Sequence, residues 1–168
     1  MTKSVYSCRL DTPLGKAIAS ATNEGLAGFW FIGQKYYPQK TQHWTYEPER
    51  PPFPALRRWL KSYFAAAAPK PDFALAPEGT PFQKAIWDIL LQIPYGGLTT
   101  YGEIARRFAA ARGLASMSAQ AVGAAVGHNP ISLLIPCHRV VGSTGKLTGY
   151  AGGLDKKEAL LRLEGAVV

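Results

Sequence analysis

The sequence predicts an α/β fold in two pieces, an antiparallel sheet covered by a helix and then a helical second half. Three observations predict it. Short β-leaning runs punctuated by turn residues fill the first third. An amphipathic helix follows them, and after a proline-rich break the apolar period becomes helical throughout. The 168 residues suffice for one domain or two small ones. With 47% hydrophobic and 18% charged residues the chain is too apolar to be disordered, and it can bury a core without disulfides or metals.

The elements follow in order. Residues 4–9 and 16–21 read as strands separated by Asp11-Thr12-Pro13-Leu14-Gly15, a turn-rich connection. Asn23-Glu24-Gly25 then turns the chain into Leu26–Phe31, a hairpin pattern. Residues 33–54 show no clear period. Leu56, Trp59, Leu60, Tyr63 and Phe64 recur at helical spacing, and this helix is expected to cover one sheet face. Pro69, Pro71, Pro77 and Gly79 break every pattern, so a linker is expected at about residues 66–79. It divides a first domain, 1–79, from a second, 80–168.

The second domain opens at Thr80-Pro81-Phe82-Gln83, where threonine caps, proline fits the first turn and glutamine closes a capping box. Pro94 and Gly96-Gly97 stop that helix. Thr100-Tyr101-Gly102-Glu103 starts another, Arg112-Gly113 turns it, and a third is expected from about Ser116 to Gly127. Two short helices across a glycine-containing turn form a helix-turn-helix pattern. The third helix is almost without bulk, and its two interior glycines each cost about 1 kcal/mol against alanine. Either close packing on a neighbouring helix or close approach to a nucleic-acid groove accounts for Ala119, Ala121, Gly123, Ala124 and Ala125.

Composition excludes several classes. The two cysteines, Cys8 and Cys137, rule out a disulfide scaffold and a four-cysteine zinc module, and free thiols suit a reducing compartment. The N-terminus lacks the apolar stretch of a signal peptide, and no apolar run approaches the roughly eighteen residues of a membrane span. A cytoplasmic protein without membrane partners is expected. The net charge of +8 favours a polyanionic partner, or else a merely soluble surface. Ten basic and six acidic residues over 1–79, and nine and five over 80–168, give each half +4, so no basic tail is responsible.

The chemistry concentrates at Asn129-Pro130-Ile131-Ser132-Leu133-Leu134-Ile135-Pro136-Cys137-His138, followed by Arg139-Val140-Val141-Gly142. A buried apolar strand is expected to lead to Pro136 and then set cysteine beside histidine. A thiol attacks only as thiolate, and a neighbouring imidazole can take its proton directly or through water. The alternative is an inert buried cysteine beside a core histidine. Adjacent residues of a strand point to opposite faces, so His138 can serve the thiol only if the chain turns there.

Asn129-Pro130, Pro136-Cys137-His138-Arg139-Val140, Gly149-Tyr150-Ala151-Gly152-Gly153 and Leu163-Glu164-Gly165 together resemble the O6-alkylguanine-DNA alkyltransferase family. The resemblance spans residues 80–168 in order. In the first half only the strand-turn-strand layout and the Tyr63-Phe64 helix suggest it. It implies a ribonuclease-H-like first domain, a helix-turn-helix in the second, and direct reversal of DNA alkylation.

The resemblance also implies roles. Cys137 accepts the alkyl group from guanine O6 as a stable thioether, His138 activates it through water, and Glu164 orients His138. Asn129 ties a helix end to the cysteine turn, unless it is only a helix cap. Tyr101 helps flip the nucleotide and donates to the purine, with simple packing as the competing account. Tyr150 and Ala151 form a wall of the base pocket. Gly123 and Ala124 let the third helix enter the minor groove. The family often carries an arginine that fills the gap left by the flipped base; Gln120 occupies that position here, so an arginine finger is missing.

Arg106, Arg107 and Arg112 are candidate phosphate contacts, though solvated helix charges account for them equally well. The implied partner is double-stranded DNA containing O6-alkylguanine, met by a monomer. No cofactor is needed, because the lesion supplies the alkyl group. Some relatives hold structural zinc through N-terminal Cys and His; here only Cys8 and His43 are available in that half, so no metal is expected. A lesion-binding protein without transfer, a helix-turn-helix regulator and a cysteine hydrolase are the rival readings.

Overall fold

A computed structural model describes residues 3–166, which fall into two compact units. One runs to Glu78 and takes in Pro130–Ser132; the other comprises Gly79–Asn129 and the chain from Leu133 onward.

In the first unit β1 (Tyr6–Thr12), β2 (Gly15–Thr22) and β3 (Gly25–Phe31) form an antiparallel meander. β4 (Thr45–Tyr46) lies parallel to β1, which gives the order β3-β2-β1-β4. Period-two alternation sorts the sheet faces. Cys8, Ala19 and Phe29 stand in one cross-strand row and Leu10, Ala17 and Phe31 in the next, all buried. α1 (Phe53–Phe64) packs on β1 and buries Leu56, Trp59, Leu60 and Tyr63, the stripe its spacing predicts. The two-residue β4 lies inside the stretch without a clear period, too short to leave one.

The segment expected as a linker contributes to this unit. Leu26 N–H donates to Ala74 O at 2.9 Å and Ala76 N–H to Leu26 O at 2.7 Å. Pro130–Ser132 bonds farther along, with Phe29 N–H to Pro130 O at 2.8 Å and Ser132 N–H to Phe29 O at 3.1 Å. Both segments cover the open edge of β3, which otherwise presents unpaired backbone groups.

The second unit holds α2 (Pro81–Leu90), β5 (Thr99–Thr100), α3 (Tyr101–Ala111), α4 (Ala119–Gly127), β6 (Val140–Val141) and α5 (Leu154–Leu163). The capping box on α2 forms in full: Thr80 Oγ1 accepts from Gln83 N–H at 3.1 Å, and the Gln83 side chain accepts from Thr80 N–H at 3.0 Å. Thr100 caps α3 through Glu103 N–H. α4 starts later than the sequence suggests, because Ser118 rather than Ser116 accepts from the Ala121 N–H and sets its first turn.

One expected element is absent. The apolar run before Pro136 is a series of buried turns, not a strand. Leu133 has φ +72°, and Ile131 forms an isolated bridge with Phe29 rather than a ladder. Prolines at both ends and a left-handed residue between them prevent a ladder.

Candidate active site

The Cys-His dipeptide lies in a 3₁₀ turn, Cys137–Arg139, which resolves the geometric objection to a strand. β6 follows this turn directly and pairs in parallel with β5, which runs straight into Tyr101. The short two-stranded ladder therefore ties the reactive turn to the start of α3.

At the turn is a polar cluster in which the His138 and Glu164 side chains are fully buried. His138 Nε2 lies 2.6 Å from Glu164 Oε2. Arg139 donates from Nε to Glu164 Oε1 at 2.7 Å and from a terminal nitrogen to Oε2 at 3.0 Å, and its other terminal nitrogen donates to Ile93 O at 2.7 Å. Gly96 N–H adds a fourth donor to the carboxylate at 3.3 Å. A buried carboxylate so surrounded stays ionised, and the imidazole proton then sits on Nε2, facing it. His138 Nδ1 is buried and has no hydrogen-bond partner among the described residues, which leaves its lone pair available as an acceptor.

The Asn129 amide Nδ2 donates to Ile135 O at 2.8 Å, fastening the end of α4 to the segment that enters the cysteine turn. Burial pushes the Cys137 thiol above its ordinary range; a hydrogen bond with Asn129 and the Lys157 charge pull the other way without overcoming it. The resting group is a protonated thiol, which needs a base at the moment of reaction.

Lys157 and Arg139 also pack around the turn; the sequence shows Arg139 in the motif without a role and does not place Lys157 there. Lys157 is fully buried; its ammonium donates to Val140 O, to Thr148 O at 2.6 Å and to Gly149 O at 3.1 Å. It thereby anchors the Gly149–Gly153 loop behind the cysteine turn. Burial lowers its pKa to about 8, partly offset by Cys137. A signal existed: Lys157, Leu160, Leu161 and Glu164 fall at i, i+3, i+4 and i+7, so two charged residues occupy the buried stripe of α5.

Tyr101 is half-buried, between α4 and the loop. A Cβ at Gly123 would stand 3.7 Å from its ring, and one at Gly149 would stand 4.0 Å from its hydroxyl. Tyr150 and Ala151 are half-buried in the same loop. α4 has a buried and an exposed face. Val122, Ala125 and Val126 are buried, with Trp87 Nε1 donating to Ala125 O at 2.9 Å, whereas Ala119, Gln120 and Ala124 are exposed. Arg106, Arg107 and Arg112 are also exposed, but each has an internal partner. Glu103 pairs with Arg106 at 2.8 Å and Arg107 at 3.7 Å, and Arg112 lies 4.6 Å over the Phe108 ring. Among the described residues no three His, Cys, Asp or Glu side chains gather as metal ligands would, and no helix is long and apolar enough to cross a membrane.

The burial of His138 has a consequence for stability. Burial keeps the imidazole pKa below its ordinary value although Glu164 raises it. The unfolded chain takes a proton near pH 6.5, the folded protein only at lower pH. Stability from this group is complete above about pH 6.5 and falls as the pH drops beneath it, at up to about 1.4 kcal/mol per pH unit. Urea unfolding from pH 7.5 to 5.5 is expected to show a steeper loss for the wild type than for His138→Gln; equal slopes would contradict it.

The fold and site define a mixed α/β protein in which a buried cysteine shares one turn with a histidine held on a buried carboxylate. Residues 81–166 match the family model described as 6-O-methylguanine DNA methyltransferase, DNA binding domain. The methylated-DNA–protein-cysteine methyltransferase of Methanosarcina acetivorans is 42% identical over 162 residues, 96% of this chain and 99% of that one. Its namesake from Mycobacterium bovis is 43% identical over 155 residues, 92% of this chain and 89% of the other. The crystal structure of Mycobacterium tuberculosis OGT in complex with DNA superposes with a TM-score of 0.83 at 40% identity, covering 95% of this chain and 92% of that one. The chain belongs to the methylated-DNA–protein-cysteine methyltransferase family.

Proposed function

We propose that this protein repairs DNA by moving an alkyl group from guanine O6 onto Cys137, once per molecule and irreversibly. The observation that carries the reading is a buried thiol set in one turn with a histidine whose Nε2 is engaged by Glu164 and whose Nδ1 remains an acceptor. In the proposed step His138 Nδ1 takes the thiol proton through one water. Sγ forms a bond to the alkyl carbon while the carbon–O6 bond breaks, and the guanine leaves with the electron pair and regains a proton. The product is a thioether, which has no hydrolytic exit. No cofactor enters the balance.

The reactive carbon sits at the edge of a stacked base, so the nucleotide must leave the stack. Tyr101, Tyr150 and Ala151 line the proposed pocket, with the Tyr101 hydroxyl donating to the purine as it gains charge. Residues 80–168 carry DNA binding and alkyl acceptance in this reading, and α3 and α4 act as a helix-turn-helix in the minor groove. The exposed Ala119 and Ala124 and the compact Gly123 support that close approach. The first unit takes a ribonuclease-H-like layout, supported by its antiparallel meander with a parallel strand beyond β1. Two free thiols support a reducing, cytoplasmic setting.

Intact mass tests the reading. Incubation with O6-methylguanine duplex is expected to add about 14 Da, once, at Cys137. An unchanged mass with DNA bound would instead mark a lesion binder.

Gln120 is exposed at the start of α4, and in this reading it fills the space left by the flipped base. Flipping costs a few kcal/mol of stacking and pairing, part of which an inserted side chain recovers. Gln120→Ala is expected to slow transfer in duplex about tenfold more than in single strands, where no stack needs filling. Equal loss on both substrates, or none, would make Gln120 a surface residue only.

A further inference from the structure

The first unit carries an aromatic and cationic surface that alkyl transfer does not use. One face of its sheet is the apolar face against α1. The other presents the row Ser7, Ser20, Gly28 and the row Arg9, Ile18, Trp30. A Cβ at Gly28 would lie 1.9 Å from the Trp30 indole, so the missing side chain is what lets that ring lie down over the strand. Trp44 stacks on Trp30 with ring centres 6.0 Å apart and planes at 27°. His43 meets Trp44 edge-on at 6.5 Å, and Tyr46 is 60% exposed nearby.

Two hollows, of about 630 and 400 Å³, share Trp44 in their walls; Lys40 and His43 line the first, Arg9 and Tyr46 the second. The charges there are unequal in availability. Lys3 is shared by Glu24 at 3.3 Å and Glu78 at 3.7 Å. Arg9 and Lys40 are exposed and make no ion pair among the described residues.

We propose that this face binds single-stranded nucleic acid, with bases stacking on Trp44 and Tyr46 and phosphates meeting Arg9 and Lys40. Aromatic rings beside unpaired cations match a ligand that alternates flat π-faces with negative charge. A duplex keeps its bases stacked on one another and cannot offer them to Trp44. An apolar peptide would cover Arg9 and Lys40 without pairing them, which burial makes costly. The inference rests on the first unit alone, so it stands or falls separately from alkyl transfer.

The test uses the full chain, because the second unit is expected to bind DNA as well. Bromodeoxyuridine-substituted oligo(dT) is photo-cross-linked to the protein, the adducts are mapped by mass spectrometry, and affinities for oligo(dT) and a matched duplex are measured by anisotropy. Adducts are expected at Trp44 or Tyr46. Trp44→Ala and Arg9→Glu are each expected to weaken oligo(dT) binding about tenfold and duplex binding less than about twofold. Trp44→Phe, which keeps a stacking ring, is expected to retain most of the affinity. A parallel oligo(rU) arm separates ribose from deoxyribose strands, with the same adduct residues expected in whichever binds. Adducts confined to residues 79–166, or equal losses on single strand and duplex, would overturn the proposal.

Discussion

Cys137→Ser is expected to slow single-turnover alkyl transfer by roughly a thousandfold or more while the protein stays folded and still binds DNA. The hydroxyl is nearly isosteric with the thiol and can keep the hydrogen bond that Asn129 makes with Cys137. What it loses is nucleophilicity. Burial already holds the thiol in its protonated form, and an alcohol is a far weaker acid whose proton His138 cannot take to a useful extent. Quenched-flow assay on O6-methylguanine duplex, with duplex affinity and a urea curve alongside, separates chemistry from folding. Transfer within about tenfold of wild type would remove Cys137 as the acceptor. Cys8→Ser makes the contrast. Cys8 is fully buried, and burial, eased by Arg57 and aggravated by Glu49, pushes its pKa to about 12. It packs the apolar sheet face, and its substitution is expected to leave the transfer rate unchanged.

These two thiols show where sequence and structure part. Both are buried, so burial does not distinguish them; the neighbours at Pro136, His138 and Arg139 do, and those are visible in the sequence. Elements whose signals are local were legible for the same reason. The Thr80–Gln83 capping box and the α1 stripe are fixed by residues within a turn or two of one another. Ile131–Ile135 misled because apolarity reports burial and says nothing of hydrogen bonding. Its backbone partners include Phe29, about a hundred residues earlier in the chain, the Asn129 amide and, within the turn, Cys137 N–H. β4 has two residues and no period to detect. Arg139 is visible in the sequence as part of the motif, but its partners are not: Glu164 and Ile93, which the fold brings to its guanidinium, lie 25 and 46 residues away along the chain. The charged stripe of α5 was the readable clue: a helix that buries Lys157 and Glu164 beside Leu160 and Leu161 has reserved those positions for something other than packing.

Removing the carboxylate at the centre of this cluster is expected to act on both fold and rate. Glu164 accepts from His138, from Arg139 twice and from Gly96 N–H, so Glu164→Ala strands a guanidinium and an imidazole in the interior. Breaking a buried pair from one side costs about 3–5 kcal/mol, more than the pair's net contribution, because the surviving charge has lost both its partner and water. Glu164→Gln is the finer probe. Whichever way the amide is oriented, its N–H₂ meets a donor, Arg139 or the His138 Nε2–H. If His138 avoids the clash by moving its proton to Nδ1, the nitrogen proposed to take the thiol proton is no longer an acceptor. Transfer is therefore expected to fall about a hundredfold in Glu164→Gln, as when an orienting carboxylate is replaced in a catalytic triad and the wrong tautomer results. The loss should appear in the transfer rate rather than in duplex affinity, since the Glu164 side chain is fully buried and offers no surface to a ligand. Nitrogen NMR of the imidazole reads the tautomer directly. An unchanged rate with the proton still on Nε2 would reduce Glu164 to a structural anchor for Arg139.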